Sequence, residues 1–188
     1  KATPVNWVNS RATYWQQIRS DEIVTNARGN PENLGETKRK GCDFGLNLRP
    51  HEWVSLWGSY SYVEAEYRDP GPNHPERKGK DLENIPNHGG RLGLDFAHPI
   101  GFSSNIWLES QGDYYVDSLN EKSKVGDYNV VNLDLKYDLY RLTLGLQVRN
   151  LFDKDYAGFI WYQDWGDPQV WYSPGDSRSY YAYLNLKL

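Results

Sequence analysis

The chain has 188 residues, with 25 acidic against 21 basic side chains for a net charge of −4, a single cysteine and no methionine. The acidic balance weighs against nucleic acid as a partner, one thiol excludes an internal disulfide, and no apolar run is long enough for a membrane helix. Low mean hydropathy leaves a membrane barrel open, because barrel strands hide their apolar half by alternation. Tyrosine (15) and tryptophan (8) outnumber phenylalanine (5), as expected where rings sit between apolar and wet surroundings. The chain starts at Lys1 without the charged, apolar and small-residue zones of a signal peptide, which suggests a processed or excised piece. Cys42, without a nearby His or second Cys, reads as a small packing residue.

Eight strands are predicted, over residues 10–25, 34–49, 52–67, 85–98, 101–117, 126–138, 141–150 and 177–188. In the third, Val54, Leu56, Tyr60 and Tyr62 alternate with Ser55, Trp57, Ser59 and Ser61; in the fourth, Leu92, Leu94 and Phe96 oppose Arg91, Gly93 and Asp95. The sixth is the clearest. Apolar residues at 131, 133, 135, 137 and 139 enclose Asn132, Asp134, Lys136 and Asp138, a period of two that only a strand with one wet and one dry face needs. The seventh repeats it, Leu142, Leu144, Leu146 and Val148 against Thr143, Gly145, Gln147 and Arg149. The last sets Tyr180, Ala182, Leu184, Leu186 and Leu188 against Tyr181, Tyr183, Asn185 and Lys187. The apolar set of each strand is assigned to lipid. Trp57 and Trp107 then face inward and need something to pack against, while Asn132 and Gln147 are expected to tolerate a charge that Leu133, Leu135 or Leu144 would not.

Connections alternate in size. Turns near 50–52, 98–101 and 138–141 are tight, whereas 26–33, 68–84, 118–125 and 151–176 are long and rich in Gly, Pro, Asn and Asp. Ten residues at about 3.3 Å and a tilt near 40° rise about 25 Å, the height of an outer-membrane apolar band, and short turns on one rim with long loops on the other are the barrel arrangement.

The longest connection carries Trp161, Tyr162, Trp165, Trp171 and Tyr172, with Phe159, Asp164 and Asp167 among them. Such rings can stack on a planar or sugar face and the carboxylates can orient a polar one, so these five aromatics are the candidate ligand-binding residues. They can equally form an aromatic girdle or pack the loop on itself. His51, His74, His88 and His98 are scattered without metal-ligand spacing, and no nucleophile elbow or phosphate loop is present. No catalytic residue, metal or cofactor is expected. In Asn150-Leu151-Phe152-Asp153-Lys154-Asp155-Tyr156, Asn150 and Asp153 suit turn bonding to backbone, with Leu151 and Phe152 expected to anchor the strand exit in apolar surroundings.

Four segments, Asn33 to Gly41, Ile85-Pro86-Asn87-His88, Asn150 to Tyr156 and Pro174 to Tyr181, resemble the C-terminal part of the β-barrel of a TonB-dependent outer-membrane receptor. The resemblance implies an all-β fold, an antiparallel transmembrane segment of about eight strands from a 22-stranded barrel. It also implies that a plug domain and TonB box lie outside residues 1–188. Location in the outer membrane of a Gram-negative bacterium, partnership with lipid and, through the plug, the TonB system, and uptake of a scarce nutrient, foremost a ferric siderophore, follow from the same resemblance. Tyr180, Leu184, Leu186 and Leu188 resemble the C-terminal signal read by the barrel assembly machinery, although Leu188 stands where that signal ends in Phe. Two other classes fit the residues: a complete eight-stranded outer-membrane protein of structural or adhesive role, whose narrow interior side chains would fill, and a soluble Tyr/Trp-rich carbohydrate-binding β-protein.

Overall fold

The computed structural model describes residues 7–26 and 28–186. Its main body is one antiparallel sheet of eight strands: β1 (Val8–Arg19), β4 (Glu36–His51), β5 (Val54–Asp69), β6 (His88–Ala97), β7 (Phe102–Gln111), β8 (Tyr128–Leu139), β9 (Leu142–Arg149) and β12 (Ser179–Leu186), each beside the next in that order. The eight predicted strands are all present, with the first and fifth ending six residues early, at Arg19 and Gln111. β2 (Ile23–Thr25), expected as the end of the first strand, instead pairs with β3 (Pro31–Asn33), and β10 (Ala157–Gln163) pairs with β11 (Gln169–Pro174); β3, β10 and β11 were not expected, and both pairs are hairpins inside long connections.

Register turns the alternation of separate strands into two continuous faces. Val8, Leu48, Leu56, Leu94, Ile106, Leu133, Val148 and Tyr180 are successive cross-strand partners, one row of apolar side chains crossing all eight strands. Since side chains alternate along each strand, that row fixes every neighbouring one. Phe44, Tyr60, Leu92, Leu144, Leu184 and Leu186 share this face, and all are exposed. No second layer covers it among the described residues, whereas a soluble sandwich buries such a face against another sheet. On β4 and β5 the apolar face ends at the ion pairs Lys40–Glu64 and Lys38–Glu66. From Val54 to Glu64 is about 33 Å of strand, which a tilt near 40° turns into a band about 25 Å tall. The 16 residues of β4 and of β5 therefore carry those strands well beyond the band.

The opposite face is polar, and its few large rings are seated. Trp57 lies directly across from Gly93 and fills the space a Cβ there would occupy; Trp15 does the same over Gly41 and Tyr183 over Gly145. The Arg149 guanidinium sits 4.7 Å from the Trp107 ring centroid. Two expectations fail here. Cys42 is not interior packing: its register beside Tyr14 and Tyr62 puts it on the exposed apolar face. Asn132 is no tolerant polar-face site either, because it is buried and its Oδ1 accepts the Asn150 N–H at 3.0 Å.

The tight turns, at 52–53, 98–101 and 140–141, lie on one rim, and the long connections 20–35, 70–87, 112–127 and 150–178 on the other. β1 pairs with β4 alone and β12 with β9 alone among the described residues, so the sheet is open and the closed eight-stranded barrel is not formed.

Candidate ligand-binding site

The four long connections hold one another by polar clasps set on the projecting ends of β4 and β5. At the foot of the first, Glu22 takes both terminal nitrogens of Arg39, at 2.9 and 3.0 Å, the hydroxyl of Thr37 at 2.6 Å and Arg19 at 2.9 Å. Burial disfavours the Glu22 carboxylate, but these donors outweigh it and hold its pKa down to about 2. Beneath lies a small core of Leu34, Ala65, Tyr67 and Leu82, with Val24, Val63 and Ile85 against it. The buried Tyr67 donates its hydroxyl to Glu83 at 2.6 Å. Arg77, from a single 3-10 turn at Pro75–Arg77, stacks over the Tyr67 ring and pairs with Glu32 of the β2–β3 hairpin. That pairing holds the Glu32 carboxyl below its ordinary range despite the opposing effect of burial.

The third connection is tied to the second by backbone. Asn120 accepts the Asp81 N–H at 2.7 Å and donates back to the Asp81 carbonyl, and the Tyr115 carbonyl accepts the Asn84 N–H. Asp117 closes the loop on itself by accepting the N–H groups of Glu121 and Lys122. The fourth meets the first through Arg28–Asp164 at 3.2 Å and the third where the Lys122 ammonium lies 5.6 Å from the Tyr162 ring centroid.

The fourth connection starts from Asn150, which is buried in the left-handed conformation that Asn tolerates. Its side chain donates to the Lys154 and Asp176 carbonyls and accepts the Lys154 N–H, the turn bonding expected of it, while Asp153 accepts the N–H of the distant Arg178. Phe152 departs from expectation: it is 72% exposed, its ring standing off the exit that Asn150 already secures.

These ties frame an open cavity of about 670 Å³ lined from all four connections, with Val24, Arg77, Val116, Phe159, Trp161 and Tyr162 among its walls. Of the five candidate aromatics, Trp161 and Tyr162 line it. Trp171 stacks parallel to Trp161, with ring centroids 6.1 Å apart and planes 11° apart, and Trp165 tilts against Trp161 at the same distance. Tyr172 points elsewhere: in the β10–β11 hairpin it pairs with Ile160, on the face opposite Trp161 and Trp171, and it is exposed. Sequence reasoning passed over the polar part of the wall, Glu32, Arg77, Asp117 and Lys122, since loop charges read as solvated until a fold brings them together. Tyr180, Leu184 and Leu186 share the exposed apolar face of β12, and Leu188 lies outside the described residues. His74 lies by Glu76 and Glu32, His88 by Asn87 and Tyr60, and the described residues hold no group of three or more metal-type ligands.

Comparison with known proteins agrees with this architecture. The ferrichrome outer membrane transporter/phage receptor of Escherichia coli is 31% identical over 131 residues, covering 65% of this chain and 17% of that protein. A metal-pseudopaline receptor of Pseudomonas aeruginosa is 26% identical over 177 residues, 90% of this chain and 24% of its own length. The chain thus spans at most about a quarter of either relative. The ferric yersiniabactin uptake receptor of Yersinia pestis shares the fold at a TM-score of 0.79 and 16% identity, over 97% of this chain and 28% of that one. The family model described as TonB dependent receptor-like, beta-barrel, matches residues 3–151, so the chain belongs to that family.

Proposed function

We propose that this chain forms wall and outer loops of an outer-membrane receptor that imports a metal chelate, foremost a ferric siderophore, by TonB-dependent transport. The observation that carries the reading is the cavity lined by all four long connections, on the rim above an apolar band about 25 Å tall, with Trp161 and Tyr162 presented to it. Relatives named for ferrichrome and for metal-pseudopaline support the ligand class. The band is the lipid-facing surface, and the apolar face of β12, with Tyr180, Leu184 and Leu186, is what the barrel assembly machinery would read. A plug domain and TonB box elsewhere in the protein would relay energy from the TonB system. This chain then contributes capture and wall, and no catalytic step.

Trp161 and Tyr162 are the contact residues in this reading, with Trp171 and Trp165 bracing Trp161 from behind. In the full-length receptor, Trp161→Ala should weaken binding of ferrichrome, the first probe, by roughly 1 kcal/mol through the lost stacking, while heat-modifiability on a gel remains normal. Tyr172→Ala should leave affinity within about twofold. Unchanged affinity in Trp161→Ala, or equal losses in both variants, removes the aromatic hairpin from the site.

A further inference from the structure

The charge of the cavity wall selects among chelates. Among the described residues its lining carries six carboxylates, Glu32, Glu76, Glu83, Asp117, Glu121 and Asp164, against two permanent cations, Arg77 and Lys122. That excess of acid equals the excess carried by the whole chain, 25 acidic against 21 basic residues. It is also local. A second cavity, on the polar face of the sheet, is lined by Arg91 and Arg149 against Glu109 and Asp176, an even balance.

Both cations have neighbours in or beneath the cavity: Arg77 gives one terminal nitrogen to Glu32 and lies over the Tyr67 ring, its buried Nε having no partner among the described residues, and Lys122 lies over Tyr162. Arg28, outside the lining, pairs with Asp164. Of the carboxylates, Asp117 accepts two backbone N–H groups and Glu83 accepts the Tyr67 hydroxyl. A wall of this kind repels an anion through a cavity whose low-dielectric sides focus the field. It offers acceptors to N–H and O–H donors, and Trp161 offers a ring face to a planar or cationic group.

We propose that the cavity admits metal chelates of zero or positive net charge that present hydrogen-bond donors, and discriminates against polyanionic chelates. The proposal rests on the receptor reading given above. Its test is a titration on the full-length receptor in detergent, followed by tryptophan fluorescence, with three probes: an uncharged ferric trihydroxamate, a ferric trihydroxamate bearing a pendant ammonium, and a trianionic ferric tris(catecholate). The trianionic probe should bind at least about tenfold more weakly than the uncharged one at low salt, about 1.4 kcal/mol, and the gap should close as salt screens the wall. In the double variant Glu76→Gln/Glu121→Gln the ratio between those two probes should shrink about threefold or more, with heat-modifiability confirming the fold. Equal or tighter binding of the trianionic probe, or a ratio unmoved by the double variant, overturns the selection. Failure of all three probes to bind folded receptor overturns the receptor reading itself.

Discussion

The wall and the loop assembly of this protein are built from the same residue types by opposite rules. In the wall, a side chain's environment follows from its parity along the strand: Leu133 faces out, Asp134 faces in, and the row from Val8 to Tyr180 carries that parity across eight strands. In the loops, environment follows from individual partners far apart in sequence, such as Arg77 with Glu32 and Arg28 with Asp164. A residue of the apolar wall face can therefore be exchanged for another of its class more freely than a clasp residue, whose partner is a particular group. Stability of the first kind is spread over many weak contributions; stability of the second is concentrated in a few groups whose loss strands a charged partner.

The sharpest way to break the comparison is to violate parity. In the full-length receptor, Leu144→Arg should cost about 2–4 kcal/mol in reversible unfolding from lipid, and Gln147→Arg, on the polar face, much less; equal losses would mean that the two faces are misassigned. Concentration of loop stability is tested next. Glu22→Gln removes the carboxylate that holds Arg39, Thr37 and Arg19, and should lower the local stability of residues 20–35 by about 1.5–3 kcal/mol, read by hydrogen exchange of that segment with β8 and β9 unaffected.

The same clasp carries a pH signature. The Glu22 carboxyl titrates near 2 in the fold against an ordinary value of 4.5. Its contribution is thus complete above pH 4.5 and falls away as pH drops from there through 2. Exchange protection in 20–35 that declines only above pH 5 would place the clasp elsewhere. Smaller effects come from glycines of the polar face. Gly93→Ala forces Trp57 from its seat and should cost about 1–3 kcal/mol, a loss partly relieved by Trp57→Ala. Gly45→Ala meets nothing within 4 Å and should stabilise by about 0.4–1 kcal/mol through the unfolded chain; chemical denaturation of both variants measures the contrast.

This division decides what can be read from the sequence. Strand count, facing and the sorting of short and long connections are visible because alternation is a local signal repeated over ten or more residues, as in Val131 to Leu139. The outward Cys42 was also implied by parity, and was missed because lone cysteine suggests burial by type. Asn132 was misjudged for a different reason: its parity is right, but its burial comes from Asn150, eighteen residues away. At the candidate site, the aromatic density of 157–172 was legible. That Trp161 and Tyr162 line a cavity while Tyr172 does not depends on how the β10–β11 hairpin sits among the other connections, which no periodicity in so short a segment reveals. The carboxylates of the wall come from four separate connections, and nothing local groups them.

The rings seated over Gly41, Gly93 and Gly145 bear on how strands find their alignment during assembly. A slip by one residue is forbidden by the faces, but a slip by two keeps every apolar side chain outward and goes unpunished by hydrophobicity. It would bring Trp57 opposite Arg91 or Asp95 in place of Gly93, and the ring would find no notch to enter. Three such notches, on three separate strand pairs, act as detents: each strand can slide past its neighbour until a bulky ring drops into a position without a side chain. Proofreading of even-numbered errors is thereby delegated to steric fit on the wet face, while the dry face polices only the odd ones.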